Sequence, residues 1–212
     1  MSESAAEPRR DQETSRIEAF SDGVFAIAIT LLVLELKAPA SDVAHGELWA
    51  HLRDEWPQFA AYLTSFAVVG VMWVNHHSMF NQIVRADRGL MFLNLLLLLW
   101  TALLPFPTAL VSEYLGEGGA DAHVAAAVYS ANLTLAAIAF SLIWAYAVRR
   151  GRLLARPMSP GAERASVLRF SVGTFVYAAT IALSFASAPV TLAVQFLIAL
   201  YYAFEQVRSR VT

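Results

Sequence analysis

The residues in this chain that could do chemistry are few. Asp22 lies in RIEAFSDGVFAIAITLLVLELK (residues 16–37), beside Ser21 and at the start of an otherwise apolar run over 20–36. Two adjacent histidines, His76 and His77, follow Trp73 and Asn75 in GVMWVNHHSMF. An aspartate and a histidine at similar depth would suit a proton relay, a substrate-binding pair or part of a metal site. Spacing limits all three. Adjacent helical residues point about 100° apart, so His76 and His77 cannot both face Asp22, and i, i+1 spacing chelates poorly. There is no HExxH, no GxSxG, no GxxxxGK[ST] and no carboxylate pair with catalytic spacing. There is no cysteine, hence no thiolate nucleophile, thiolate metal site or disulfide framework. The residues therefore point away from an enzyme, a cofactor and a metal centre.

The elements that would position Asp22 are membrane-like. Of 212 residues, 58% are hydrophobic and only 15% are charged, against about 45–50% and about 25% in soluble domains. A net charge of −2 gives no footing for nucleic acid. A spanning helix needs about 20 apolar residues, and six stretches qualify: about 18–37, 57–80, 90–111, 123–148, 167–186 and 189–207. Pro57 suits a first helical turn, Pro105 and Pro107 in LPFPTAL predict a kink, and Pro189 in SFASAPV divides the last long run into a hairpin. The fold class expected is an all-α integral membrane protein of six transmembrane helices. A polar, flexible segment is expected over 1–17, the six-helix membrane domain over 18–207 and a short tail over 208–212.

Loop charge sets the orientation. Every basic residue except Lys37 and Arg53 falls before the first span, between spans two and three, between four and five or in the first residues of the fifth (Arg169), or in the tail. The opposite side carries Asp42, Glu47, Asp54, Glu55, Glu113, Glu117 and Asp121. Both termini are thus expected in the cytoplasm, and the basic run RRGRLLARPMSPGAER offers contact with anionic lipid. A small-residue APAS stretch at 38–41 resembles a signal cleavage site, but Asp22, Glu35 and Lys37 flank the run in a way that a signal peptide does not favour.

On the first helix at 100° per residue, Gly23, Thr30, Leu31 and Leu34 fall within about 60° of Ile27. Asp22 and Ser21 point elsewhere. Spacing alone reads that stripe as ordinary packing against lipid or a neighbouring helix. A carboxylate at the bilayer edge needs a partner; Arg16 and the histidines of the second span are the candidates. Asn94, Asn132 and Gln195 are lone intramembrane amides, expected to bond between helices.

The R-x-x-x-F-S-D pattern of Arg16, Phe20, Ser21 and Asp22, opening an apolar helix, with WVNHH (Trp73, Asn75, His76, His77) in the second span, resembles the transmembrane protein 175 family of potassium channels, bacterial six-span type. The resemblance extends over essentially the whole chain. It implies a homotetramer with the pore formed by the first helix of each subunit, and potassium as the permeant ion. It implies no TVGYG-like carbonyl filter. The narrowest ring would be Ile27, with Leu31 and Leu34 one and two turns on and Thr30 on the same stripe. Arg16, Phe20, Ser21 and Asp22, with Trp73, Asn75, His76 and His77, would form the network holding the pore helix. The setting implied is a bacterial inner or plasma membrane, with lipid and further copies of the chain as partners and no cofactor. The competing class is a proton-coupled or other secondary transporter using Asp22 and His77.

Overall fold

The structure, a computed structural model, describes residues 8–38, 46–156 and 159–208. Eight α-helices follow in order among these residues: α1 (Pro8–Leu31), α2 (Leu48–Asp54), α3 (Trp56–Phe80), α4 (Arg88–Leu103), α5 (Pro105–Tyr114), α6 (Gly119–Arg150), α7 (Pro160–Ser184) and α8 (Ala188–Arg208). A 3-10 turn over Leu32–Glu35 extends α1. The described residues contain no strand, only an isolated antiparallel bridge between Ile83 and Leu154.

Among the described residues, five helical stretches are long and apolar enough to cross a membrane: Thr14–Glu35, Trp56–Phe80, Arg88–Tyr114, Gly119–Arg150 and Gly161–Ser184. The last apolar stretch, Ala188–Ala203, falls short of that length. The third is α4 and α5 taken together. It breaks at Leu104, where Pro105 starts α5, so the expected kink is present. Within the segment 1–17, the described residues from Pro8 on are helical and continue into the first apolar run. Residues 1–7, residues 39–41 of the APAS stretch, residues 157–158 of the basic run and the tail beyond 208 lie outside the described residues.

α6 lies at the centre. Its buried positions include Ala122, Ala125, Ala126, Ala136, Ala139 and Ala147, and such small side chains let neighbouring backbones approach. It packs against α4, α5, α7 and α8, while α1 packs on α3 and α4. Polar bonds join the helices at several levels. Ser65 of α3 meets Thr108 of α5 at 2.8 Å and Tyr129 of α6 at 3.0 Å. Gln195 of α8 donates to Ser130 of α6 at 2.7 Å and Thr180 of α7 at 3.1 Å. Asn132 of α6 donates to the Trp100 carbonyl of α4 at 3.1 Å. The lone amides thus bond between helices, each such bond contributing about 0.6–2 kcal/mol in a membrane.

Candidate functional site

The polar middle part of α1 is held by a directional chain of hydrogen bonds. Ser21 Oγ donates to the Ile17 carbonyl one turn back, at 2.8 Å. It accepts from Asn94 Nδ2 of α4 at 3.0 Å. Asn94 Oδ1 lies 2.9 Å from His76 Nε2 of α3. Because the Asn94 amide nitrogen is already donating to Ser21, its oxygen faces His76, and His76 must carry its proton on Nε2. Ser21, His76 and Asn94 are all buried, at 0%, 0% and 2% exposure. The His76 ring stacks on Phe80 at 4.3 Å and tilts against Phe25 at 5.4 Å. It is a packed imidazole where α1, α3 and α4 meet.

Asp22 is exposed on the subunit and bonds to neither histidine. Trp73 Nε1 of α3 donates to its Oδ1 at 2.8 Å. The expected partner was a histidine or Arg16; the structure supplies an indole instead. The physical reason is reach. His76 is turned inward to Asn94, while Trp73, one turn earlier on α3, projects its lone donor to the level of Asp22. His77 turns the other way, stacking on Trp73 at 6.4 Å, with Nδ1 3.6 Å from Glu18 Oε1 of α1. Arg16 and Phe20 are exposed and take no part in these bonds, and Asn75 is half-buried. Asn94 was legible only as a bonding amide; its place as the bridge between α1 and α3 was not. Glu18 gave no motif signal at all.

The opposite side of α1 presents the stripe. Gly23, Ile27, Thr30, Leu31 and Leu34 are all exposed, Ile27 at 61% and Leu34 at 70%. Ile17, Phe25, Ala28 and Leu32 are buried on the other face. Thr30 Oγ1 donates back to the carbonyls of Ala26 and Ile27, both at 2.9 Å, which leaves its oxygen lone pairs as the group it can offer outward. From Leu32 the helix tightens to 3-10 geometry, which turns faster per residue. Val33, on the back by α-helical angles, is thereby also exposed.

The C-terminal end of α1 is tied down separately. The Lys37 N–H donates to Gln58 Oε1 of α3 at 2.7 Å, and Gln58 in turn donates to Glu55 at 3.1 Å. Lys37 also pairs with Glu113 of α5, and Ser112 donates to the Glu35 carbonyl at 3.4 Å. The hydrogen bond and charge of Glu113 hold the Lys37 ammonium above the ordinary lysine value. No group of three or more metal-ligating side chains occurs among the described residues.

The family model described as endosomal/lysosomal potassium channel TMEM175 matches residues 16–105, which hold both motifs. A potassium channel of Streptomyces collinus is 52% identical over 195 residues, 92% of this chain and 94% of that one. The crystal structure of a lysosomal potassium-selective channel TMEM175 homolog from Chamaesiphon minutus superposes with a TM-score of 0.80 at 41% identity, over 92% of this chain and 98% of that one. The human endosomal/lysosomal proton channel TMEM175 is 44% identical over 97 residues, 42% of this chain and 19% of that one. On identity and coverage together, this chain belongs to the TMEM175 family.

Proposed function

We propose that copies of this chain assemble, as a homotetramer, around α1 to form a potassium-selective leak channel whose constriction is apolar. The observation that carries this is the asymmetry of α1. One face is buried on its own subunit, while the stripe of Ile27, Thr30, Leu31 and Leu34 is exposed. The resemblance to chains named potassium channels along nearly their whole length supplies the ion. In this reading α8 is a sixth, short span, both termini face the cytoplasm of a bacterial cell, and lipid covers the outer helices.

Four Ile27 side chains offer no oxygen to replace hydration water. An ion passing them must shed part of its shell, and potassium holds its water less tightly than sodium. A dry apolar ring also closes by dewetting. Thr30 places hydroxyl oxygens beside that ring. The Ser21–Asn94–His76 chain and the Trp73–Asp22 bond fix the helix from behind, so the ring keeps its width. The transporter alternative finds no support, since Asp22 and His77 bond to different partners and share no hydrogen bond. The test is flux from proteoliposomes loaded with potassium or with sodium, with a protonophore present. Fast, substrate-independent potassium efflux with much slower sodium efflux is expected; equal fluxes would contradict selectivity.

A further inference from the structure

Two basic loops that are distant in sequence meet at the inner end of the bundle. The loop after α3 and the loop after α6 form a small antiparallel clasp at the Ile83–Leu154 bridge. Val84 N–H donates to the Leu153 carbonyl at 2.9 Å, and Ala155 N–H to the Gln82 carbonyl at 3.0 Å. Ile83, Leu153 and Leu154 are buried beneath it. α6 ends here because Gly151 takes φ +50, a conformation glycine adopts freely.

The clasp has one carboxylate. Asp87 caps α4 by accepting from the Leu90 N–H at 3.0 Å. It also accepts from Tyr146 at 3.0 and 3.1 Å and from Arg152 at 3.4 Å. The Tyr146 hydroxyl sits against Gly89, where any Cβ would collide with it. The ring of Tyr146 in turn lies 5.3 Å from the Arg150 guanidinium. Asp87 thus pairs with Arg152 and also feels the charge of Arg150 beside the Tyr146 ring. Arg85, Arg88, Arg149 and Arg150 are exposed around the same clasp, and among the described residues no carboxylate lies within ion-pair distance of them. Arg88 opens one membrane-length stretch and Arg149 and Arg150 close another, which places them at headgroup depth.

We propose that this clasp is a docking site for the phosphate headgroup of an anionic phospholipid in the adjoining leaflet, held by Arg85, Arg88, Arg149 and Arg150. Guanidinium forks match phosphate oxygens bidentately. Like-charged guanidiniums repel one another, and a phosphate between them relieves that repulsion. The site rests on the chain lying in a membrane and not on its conducting potassium.

The experiment uses the purified full-length assembly in nanodiscs of phosphatidylcholine, with or without phosphatidylglycerol, and measures lipid retained after detergent extraction. Retention of phosphatidylglycerol over phosphatidylcholine is expected, falling with salt. It should drop roughly tenfold or more in Arg85→Gln/Arg88→Gln and hold in Arg53→Gln, at the other end of the bundle. Equal retention of both lipids overturns the site, as does an equal loss in Arg53→Gln. Soluble glycerol phosphate that competes as well as the lipid overturns the assignment to a headgroup. Should the double variant fail to assemble, lipid preference and salt dependence in the unaltered protein decide the matter. Potassium flux in pure phosphatidylcholine without selective lipid retention would sink this site alone; retention without flux would sink the channel alone.

Discussion

The two sides of α1 differ in the atoms they present and in what meets them. The inner side carries Ser21 and the buried Phe25, Ala28 and Leu32, and it meets side chains of its own subunit, with Asn94 bridging it to His76. The outer stripe carries Ile27, Leu31 and Leu34 and is left bare by its own subunit. A helix with one exposed apolar face commonly lies against lipid. Here the helix is also pinned by polar contacts at both ends, through Asp22 and Trp73 below and Lys37, Gln58 and Glu113 above. Lipid contact alone does not call for such fixing, whereas a ring of apolar side chains whose diameter decides which ion passes does.

The comparison breaks most severely if the bare stripe is made polar. Ile27→Asn would add amide groups to the proposed constriction, and the potassium-to-sodium permeability ratio from reversal potentials is expected to fall toward unity. Next comes the buried chain. Asn94→Leu strands the His76 N–H and removes a donor from Ser21, each buried orphan costing about 1–3 kcal/mol; unfolding in detergent should move to markedly lower temperature, and the permeability ratio should fall, by less than in Ile27→Asn, as the ring loses part of its support. Asp22→Ala releases Trp73 at a more exposed site. It should alter assembly or open probability, read from single-channel records, more than the permeability ratio.

Two smaller effects sharpen the contrast away from α1. Partial burial opposes the charge on Asp87, but bonds from the Leu90 N–H, Tyr146 and Arg152 hold its carboxyl below the ordinary carboxylate value. A depressed pKa contributes stability that is fully present above the unfolded-state value and is lost as pH falls through the lower, folded-state value. Asp87→Asn should therefore flatten the acid side of a stability-against-pH curve. Glu113→Gln removes an exposed ion pair, 70% and 53% accessible on its two sides, and should cost less than about 1 kcal/mol by thermal unfolding.

Much of this was legible from residue types and spacing. The stripe followed from 100° periodicity, the α4–α5 break from Pro105, and the α7–α8 hairpin from Pro189, because each is a local property of one helix. What depended on two helices meeting was less legible. Asp22 announced its need of a partner, yet nothing in the chain singled out Trp73 over a histidine. Asn94 announced a bond without its direction. The 3-10 tightening over Leu32–Glu35, which brings Val33 out beside Leu34, comes with tertiary ties at Lys37 that periodicity does not encode. The clasp at Ile83 and Leu154 joins loops whose charge in the sequence signals orientation and lipid contact but not their pairing.

The most direct measurement exploits the absence of cysteine. Single cysteines would replace, one at a time, Ile27, Leu31 and Leu34 on the stripe and Phe25 and Ala28 on the buried side, and potassium flux would be followed as a charged, water-soluble thiol reagent is added. A pore lined by the stripe predicts rapid block at Ile27, Leu31 and Leu34 and none at Phe25 or Ala28. Block without that alternation, or stripe positions that remain unreactive in a conducting assembly, would contradict the placement of α1 around the pore.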